Sequence, residues 1–92
     1  MKNKENKKKI LIGLKKANTS LSKIISMVEA NHYCINVMQQ NLAVIGLLRS
    51  VHETLMTNHL NTCFKSAVAT KNEKRKNQMI DEILKVTNLY NK

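Results

Sequence analysis

From His32 to about Ala69 nothing in the chain stops a helix. Cys34, Val37, Met38, Val44, Ile45, Leu48, Val51, Leu55, His59, Leu60 and Cys63 recur at helical spacing, and no proline occurs anywhere in the sequence. At 1.5 Å per residue such a helix is roughly 50 Å long. One short partner helix cannot cover it, and a chain of 92 residues buries only a modest core by itself. The uncovered apolar surface implies further copies of the chain. Only Gly13 and Gly46 could serve tight turns, fewer glycines than a strand-and-turn fold needs. The apolar residues are mostly Leu, Ile, Val, Met and Ala, with aromatics at 3%, a mixture suited to helix-on-helix packing. The expected fold is all-α, a three-helix protomer with a long central helix.

The first helix is expected from Ile10, where Ile10, Leu14, Ala17, Leu21, Ile24 and Val28 make a narrow apolar stripe. It should end near Ala30–Asn31, because asparagine tolerates a left-handed C-terminal residue. Residues 1–9, with Lys2, Lys4, Lys7, Lys8 and Lys9 against Glu5, are expected to form a basic flexible arm, and residues 10–92 a single helical domain. The polar stretch Thr70–Asn77 reads as a linker. The third helix presents Met79, Ile80, Ile83, Leu84, Val86 and Leu89.

A net charge of +10 favours a polyanionic partner, either nucleic acid or an anionic membrane surface. No apolar run approaches the roughly 20 residues that span a bilayer, and no signal peptide is legible, so a cytoplasmic location is expected. Basic residues concentrate in Lys2–Lys23 and Lys65–Lys76. Lys9, Lys15, Lys16 and Lys23 are candidate contacts to the DNA backbone. Tyr33, Phe64 and Tyr90 are too scattered to make a stacking platform for single strands.

His59 and Cys63 are four residues apart, which on a helix turns both toward one side and allows them to chelate one ion. Cys34 lies 29 positions before Cys63, roughly 43 Å along a continuous helix. The two thiols cannot meet within one chain. Two antiparallel copies, packed as a four-helix bundle with their axis near Leu47–Leu48, would bring Cys34 of one to His59 and Cys63 of the other. Two thiolates with an imidazole suit Cu(I) or Zn(II). Three ligands favour low-coordinate Cu(I), since structural zinc prefers four. His32, two residues from Cys34, faces elsewhere on a helix. No orienting carboxylate, oxyanion-hole loop or glycine-rich turn accompanies these residues, so no enzyme and no small organic substrate are expected.

The segments Tyr33-Cys34-Ile35-Asn36-Val37-Met38-Gln39-Gln40, Ala43-Val44 and Asn58-His59-Leu60-Asn61-Thr62-Cys63-Phe64 resemble the copper-sensing operon repressor family of bacteria, over roughly Ile10 to Leu89. The resemblance implies an antiparallel dimer, a tetramer built from two dimers, and operator DNA bound without a helix-turn-helix. It implies one Cu(I) per protomer held by Cys34 of one chain and His59 and Cys63 of another, with metal binding releasing the DNA. It places the supporting Tyr and Glu of copper members on Tyr33 and Glu82, and a common second-helix Arg on Arg49. Nickel/cobalt sensors of the family use His where Cys63 stands and add an N-terminal His where Asn3 stands. Persulfide sensors lack a histidine at the place of His59. The chain departs from the family at Asn36, where Asp is usual, and in the first helix, where Gly13 and Asn18-Thr19 stand in place of arginine-bearing segments. Lysine cannot copy bidentate arginine readout.

Two rival functions follow. Cys34 and Cys63 could respond to thiol oxidation or persulfide on the same fold. Alternatively, the chain could buffer copper in the cytosol without binding DNA.

Overall fold

The computed structural model describes residues 4–91, apart from the side chains of Cys63 and Phe64. Met1–Asn3, with Lys2 of the expected arm and Asn3, and also Lys92, lie outside the described residues. Every described element is helical: α1 (Lys4–Glu29), α2 (Cys34–His59), a π-helical turn (Leu60–Phe64), α3 (Lys65–Ala69) and α4 (Glu73–Tyr90). The fold is all-α. No described helix is long and apolar enough to cross a membrane. The chain divides into two compact units, Met1–Asn58 and His59–Lys92.

In the first unit α1 and α2 form an antiparallel hairpin. Asn6 Nδ2 donates to Asn58 Oδ1 at 3.2 Å, and a Cβ built on Gly13 would lie 2.5 Å from Val51 Cγ2. The start of α1 therefore runs beside the end of α2. The buried and half-buried residues of α1 are Asn6, Ile10, Gly13, Ala17, Ser20, Ile24 and Met27. Those of α2 follow the same rhythm at Val37, Gln40, Val44, Leu47, Val51, Thr54 and Asn58, with His52, Met56 and His59 half-buried to one side. Alternating steps of three and four make this a coiled-coil-like seam. Gly13, Ala17 and Ser20 keep it thin.

This seam corrects the expected stripe of α1. Ile10, Ala17 and Ile24 belong to it, but Leu14, Leu21 and Val28 are 42%, 44% and 58% exposed. Residues 4–9, which fall in the expected arm, are the first turns of α1. Glu5 suits the positive end of the helix dipole, lysine is a good helix former, and Asn6 and Ile10 tie these turns to α2. The helix ends as its sequence implied. Asn31 has φ of 57°, while His32 N donates to Met27 O and Asn31 N to Val28 O. That pair of bonds satisfies the last carbonyls of α1 in a Schellman arrangement.

The helical course from Cys34 to Ala69 is unbroken, as the lack of breakers predicted, but it changes hydrogen-bond register at Leu60–Phe64. In the second unit α3 packs against α4, with Ala67 and Met79 buried. The expected linker shortens to Thr70–Asn72. Thr70 Oγ1 donates to Ala67 O at 2.7 Å, and the Asn72 side chain accepts from Arg75 N at 3.2 Å. That N-cap starts α4, so residues 73–77 are helical.

Candidate metal centre and nucleic-acid interface

Cys34 is the first residue of α2 and an exposed free thiol. Tyr33 precedes it, 70% exposed, and its carbonyl accepts from the amides of Asn36 and Val37 to open the helix. His59 is the last residue of α2 and half-buried. The 25 positions between them are just under seven helical turns, so both lie on one face, roughly 37 Å apart along the axis. Met38, Ile45, Leu48 and Leu55 occupy that face between them, 58%, 44%, 42% and 38% exposed. Asn41 and His52 fill its remaining positions.

The face stands about 100° around α2 from the α1 seam. α1 carries a matching stripe, Leu11, Leu14, Leu21, Ile25 and Val28, all exposed. It is offset from the seam by the same angle and in the same rotational sense. Because the two helices are antiparallel, both stripes fall on one side of the hairpin. The first unit thus shows a continuous apolar surface two helices wide. Such a surface marks an interface.

The backbone places Cys63 within the π-helical turn; its side chain lies outside the described residues. Among the described residues no three His, Cys, Asp or Glu side chains come together as a metal site. Glu82 is exposed on α4. The structure therefore brings Cys34 and His59 onto one face without bringing them to one ion within a chain.

Lys9, Lys15, Lys16 and Lys23 are all exposed on α1, and Arg49 is exposed on α2. Lys4, Lys7, Lys8 and Lys15 surround Leu11 and Ile12 on the helix surface. Lys15 and Lys16 also border a shallow hollow with Thr19, Ser20 and Leu47. The lysines lie mostly away from the seam, so α1 presents an extended basic surface.

One feature escaped the sequence reading. Asn58 is 5% exposed and hydrogen-bonded to Asn6 across the hairpin. Its signal was present in the seven-residue repeat Val37, Val44, Val51, Asn58, where an amide takes the place of a fourth valine.

Residues 6–88 match the model of the metal-sensitive transcriptional repressor family. The chain belongs to this family. Its members are transcriptional repressors rather than enzymes. The copper-sensing transcriptional repressor CsoR of Mycobacterium ulcerans is 38% identical over 80 residues, covering 87% of this chain and 66% of that protein. CsoR of Mycobacterium tuberculosis H37Rv is 39% identical over 62 residues, covering 67% of this chain and 52% of its own length. RicR of the same strain, also a copper-sensing transcriptional repressor, is 39% identical over 56 residues, which are 61% of this chain and 58% of RicR. The chain thus spans between half and two thirds of the length of these relatives. The crystal structure of the copper-sensing repressor CsoR with Cu(I) from Geobacillus thermodenitrificans matches with a TM-score of 0.85 at 29% identity, over 100% of this chain and 93% of that one. In this chain the α1–α2 hairpin carries Cys34 and the exposed lysines of α1.

Proposed function

We propose that this chain is a Cu(I)-responsive repressor that holds operator DNA in its metal-free form and releases it when Cu(I) bridges two protomers. The observation that carries the reading is the placement of Cys34 and His59 at opposite ends of one open apolar face of α2. An antiparallel copy set on that face, with Cys34 opposite His59, pairs Met38 with Leu55, Asn41 with His52 and Ile45 with Leu48. Apolar residues meet apolar ones and polar meet polar, which a two-fold interface requires. The axis falls between Gly46 and Leu47, within a residue of the expected position. Each end of the dimer then gathers Cys34 from one chain and His59, with Cys63 a turn beyond, from the other.

The donor set fits the metal. Thiolate and imidazole are soft or borderline ligands, and three of them suit low-coordinate Cu(I) better than Zn(II). Bound Cu(I), one per protomer, would supply a cross-link between α2 of one chain and the π turn of another. Tyr33 and Glu82 are the proposed supporting residues around it. Lys9, Lys15, Lys16, Lys23 and Arg49 contact the duplex backbone, repeated over a dimer of dimers. Family membership and the copper-sensing relatives support this reading over a copper buffer without DNA activity. The exposed thiol of Cys34 keeps one second reading in view, a thiol- or persulfide-responsive repressor. Replacing His59 by Ala spares that response and removes copper sensing.

The test is an anaerobic Cu(I) titration of the reduced protein against a Cu(I) chelator, read by X-ray absorption and repeated on Cys34→Ala. The expected outcome is one three-coordinate copper per protomer with two sulfurs and one nitrogen, lost in the variant, and accompanied by release of promoter DNA. Weak uptake that Cys34→Ala leaves unchanged overturns the proposal.

A further inference from the structure

We infer that Asn58 and Asn6 are positioning residues: their hydrogen bond ties the end of α2 that carries His59 to the lysine-rich first turns of α1. This rests on the copper reading above and deepens it, because it names the link between the metal-binding end of α2 and the DNA-facing lysines.

Three observations converge on the pair. The first is its cost. Val37, Val44 and Val51 occupy one line of the α2 seam, and Asn58 takes the next step of that line while only 5% exposed. A fourth valine would fit the pattern, and burying an amide costs stability unless it is bonded. Asn6 Nδ2 supplies that bond at 3.2 Å. A buried asparagine in a heptad seam fixes helix register at some expense in stability.

The second observation is its place along α2. Asn58 is the residue before His59, and the backbone leaves α-helical for π-helical geometry at Leu60. The bond therefore holds the last α-helical turn where the hydrogen-bond pattern changes. Rotation or sliding of α2 at His59 must either break the bond or carry Asn6 along.

The third is what Asn6 carries. Its neighbours Lys4, Lys7 and Lys8 are part of the basic surface around Leu11 and Ile12, and Lys9 borders the polar hollow that Asn6 shares with Ser50, Glu53, Thr54 and Thr57. A displacement of Asn6 displaces these lysines with it. A valine–leucine contact could transmit a push, but it would let the helices slip. A directional hydrogen bond permits one register.

The experiment uses the full chain as its native oligomer and compares the wild type with Asn6→Leu/Asn58→Leu, Asn6→Gln and Asn58→Ala. The readouts are thermal stability, Cu(I) affinity against a chelator, DNA affinity with and without Cu(I), and hydrogen exchange of the Lys7–Ile10 amides. The leucine pair should melt close to the wild type, since replacing both partners of a buried bond is nearly neutral, and should still bind Cu(I). Its copper-induced loss of DNA affinity should nevertheless shrink by about tenfold, and Cu(I) should no longer alter exchange at Lys7–Ile10. Asn6→Gln keeps the donor and should restore part of the response. A leucine pair that releases DNA as the wild type does overturns the inference and leaves the copper reading standing. Wild type that binds no Cu(I) overturns the copper reading instead. The link is then judged on the metal-free protein, where Asn58→Ala must speed exchange at Lys7–Ile10 well beyond its effect on Ile24–Met27 of the same helix. Equal effects at both ends reject it.

Discussion

An added Cβ at Gly13 would meet Val51 Cγ2 at 2.5 Å, whereas at Gly46 it would meet nothing within 4 Å. Both glycines lie inside helices, where each costs up to about 1 kcal/mol relative to alanine. At Gly13 that cost is offset by the close approach of α1 to α2. Val51 is β-branched and cannot rotate away easily. Gly13→Ala should therefore destabilise the protein by about 1–3 kcal/mol through overpacking. Gly46 points away from both the seam and the open face of α2, so Gly46→Ala should stabilise by up to about 1 kcal/mol. Urea melts at one protein concentration decide both cases, and a neutral Gly13→Ala would show that the helices stand further apart in solution. Asn31 makes the same point for backbone conformation. Its φ of 57° was legible in the sequence, because a helix ending in Ala-Asn-His with no glycine leaves asparagine as the residue best able to turn left-handed.

At the scale of the helix, both α1 and α2 carry two stripes of three–four spacing, about 100° apart. One closes the hairpin and the other is left open. Half of the closed seam is small or polar, as at Gly13, Ala17, Ser20, Gln40, Thr54 and Asn58, while large apolar residues such as Leu14, Ile25, Met38 and Leu48 face out. An isolated hairpin would expose more apolar surface on its open side than it covers with large side chains in its seam. Ile45→Glu places a charge near the proposed axis, and symmetry duplicates it, so like charges face each other in a desolvated interface. Sedimentation should show a shift to smaller species for Ile45→Glu and no change for Ser50→Glu, which lies on the opposite side of α2. An Ile45→Glu protein that keeps the wild-type assembly would remove the basis for placing Cys34 opposite His59.

For the whole molecule the dominant long-range term is charge. Each chain carries +10, and its lysines spread over the exposed surface of α1. Lysine acts on phosphate as a point charge, without planar readout of base edges. Affinity for DNA should therefore depend steeply on salt, falling about a thousandfold between 50 and 200 mM if about six phosphates are neutralised. Sequence discrimination should depend on salt far less. Fluorescence anisotropy with operator and scrambled duplexes measures both, and a flat salt response would exclude the lysine surface of α1 as the contact. The protein must be reduced and metal-free for this measurement, because Cys34 is an exposed thiol.

The helical class, the end of α1 near Asn31 and the unbroken helical course from Cys34 to Ala69 were all legible in the order of the residues. Those features depend on local backbone preference and on the fixed rise of a helix, which act between near neighbours. The start of α1 at Lys4, the choice of seam, the π turn at Leu60–Phe64 and the Asn6–Asn58 bond were settled by the tertiary structure. The first turns of α1 are tied to α2 by the Asn6–Asn58 bond, a contact between residues far apart in the chain that no local pattern records. An apolar periodicity shows which residues avoid water but not which of two equivalent stripes a partner helix will cover. Gly13 decided that in α1, by allowing α2 to approach where Leu14 and Leu21 would have held it off.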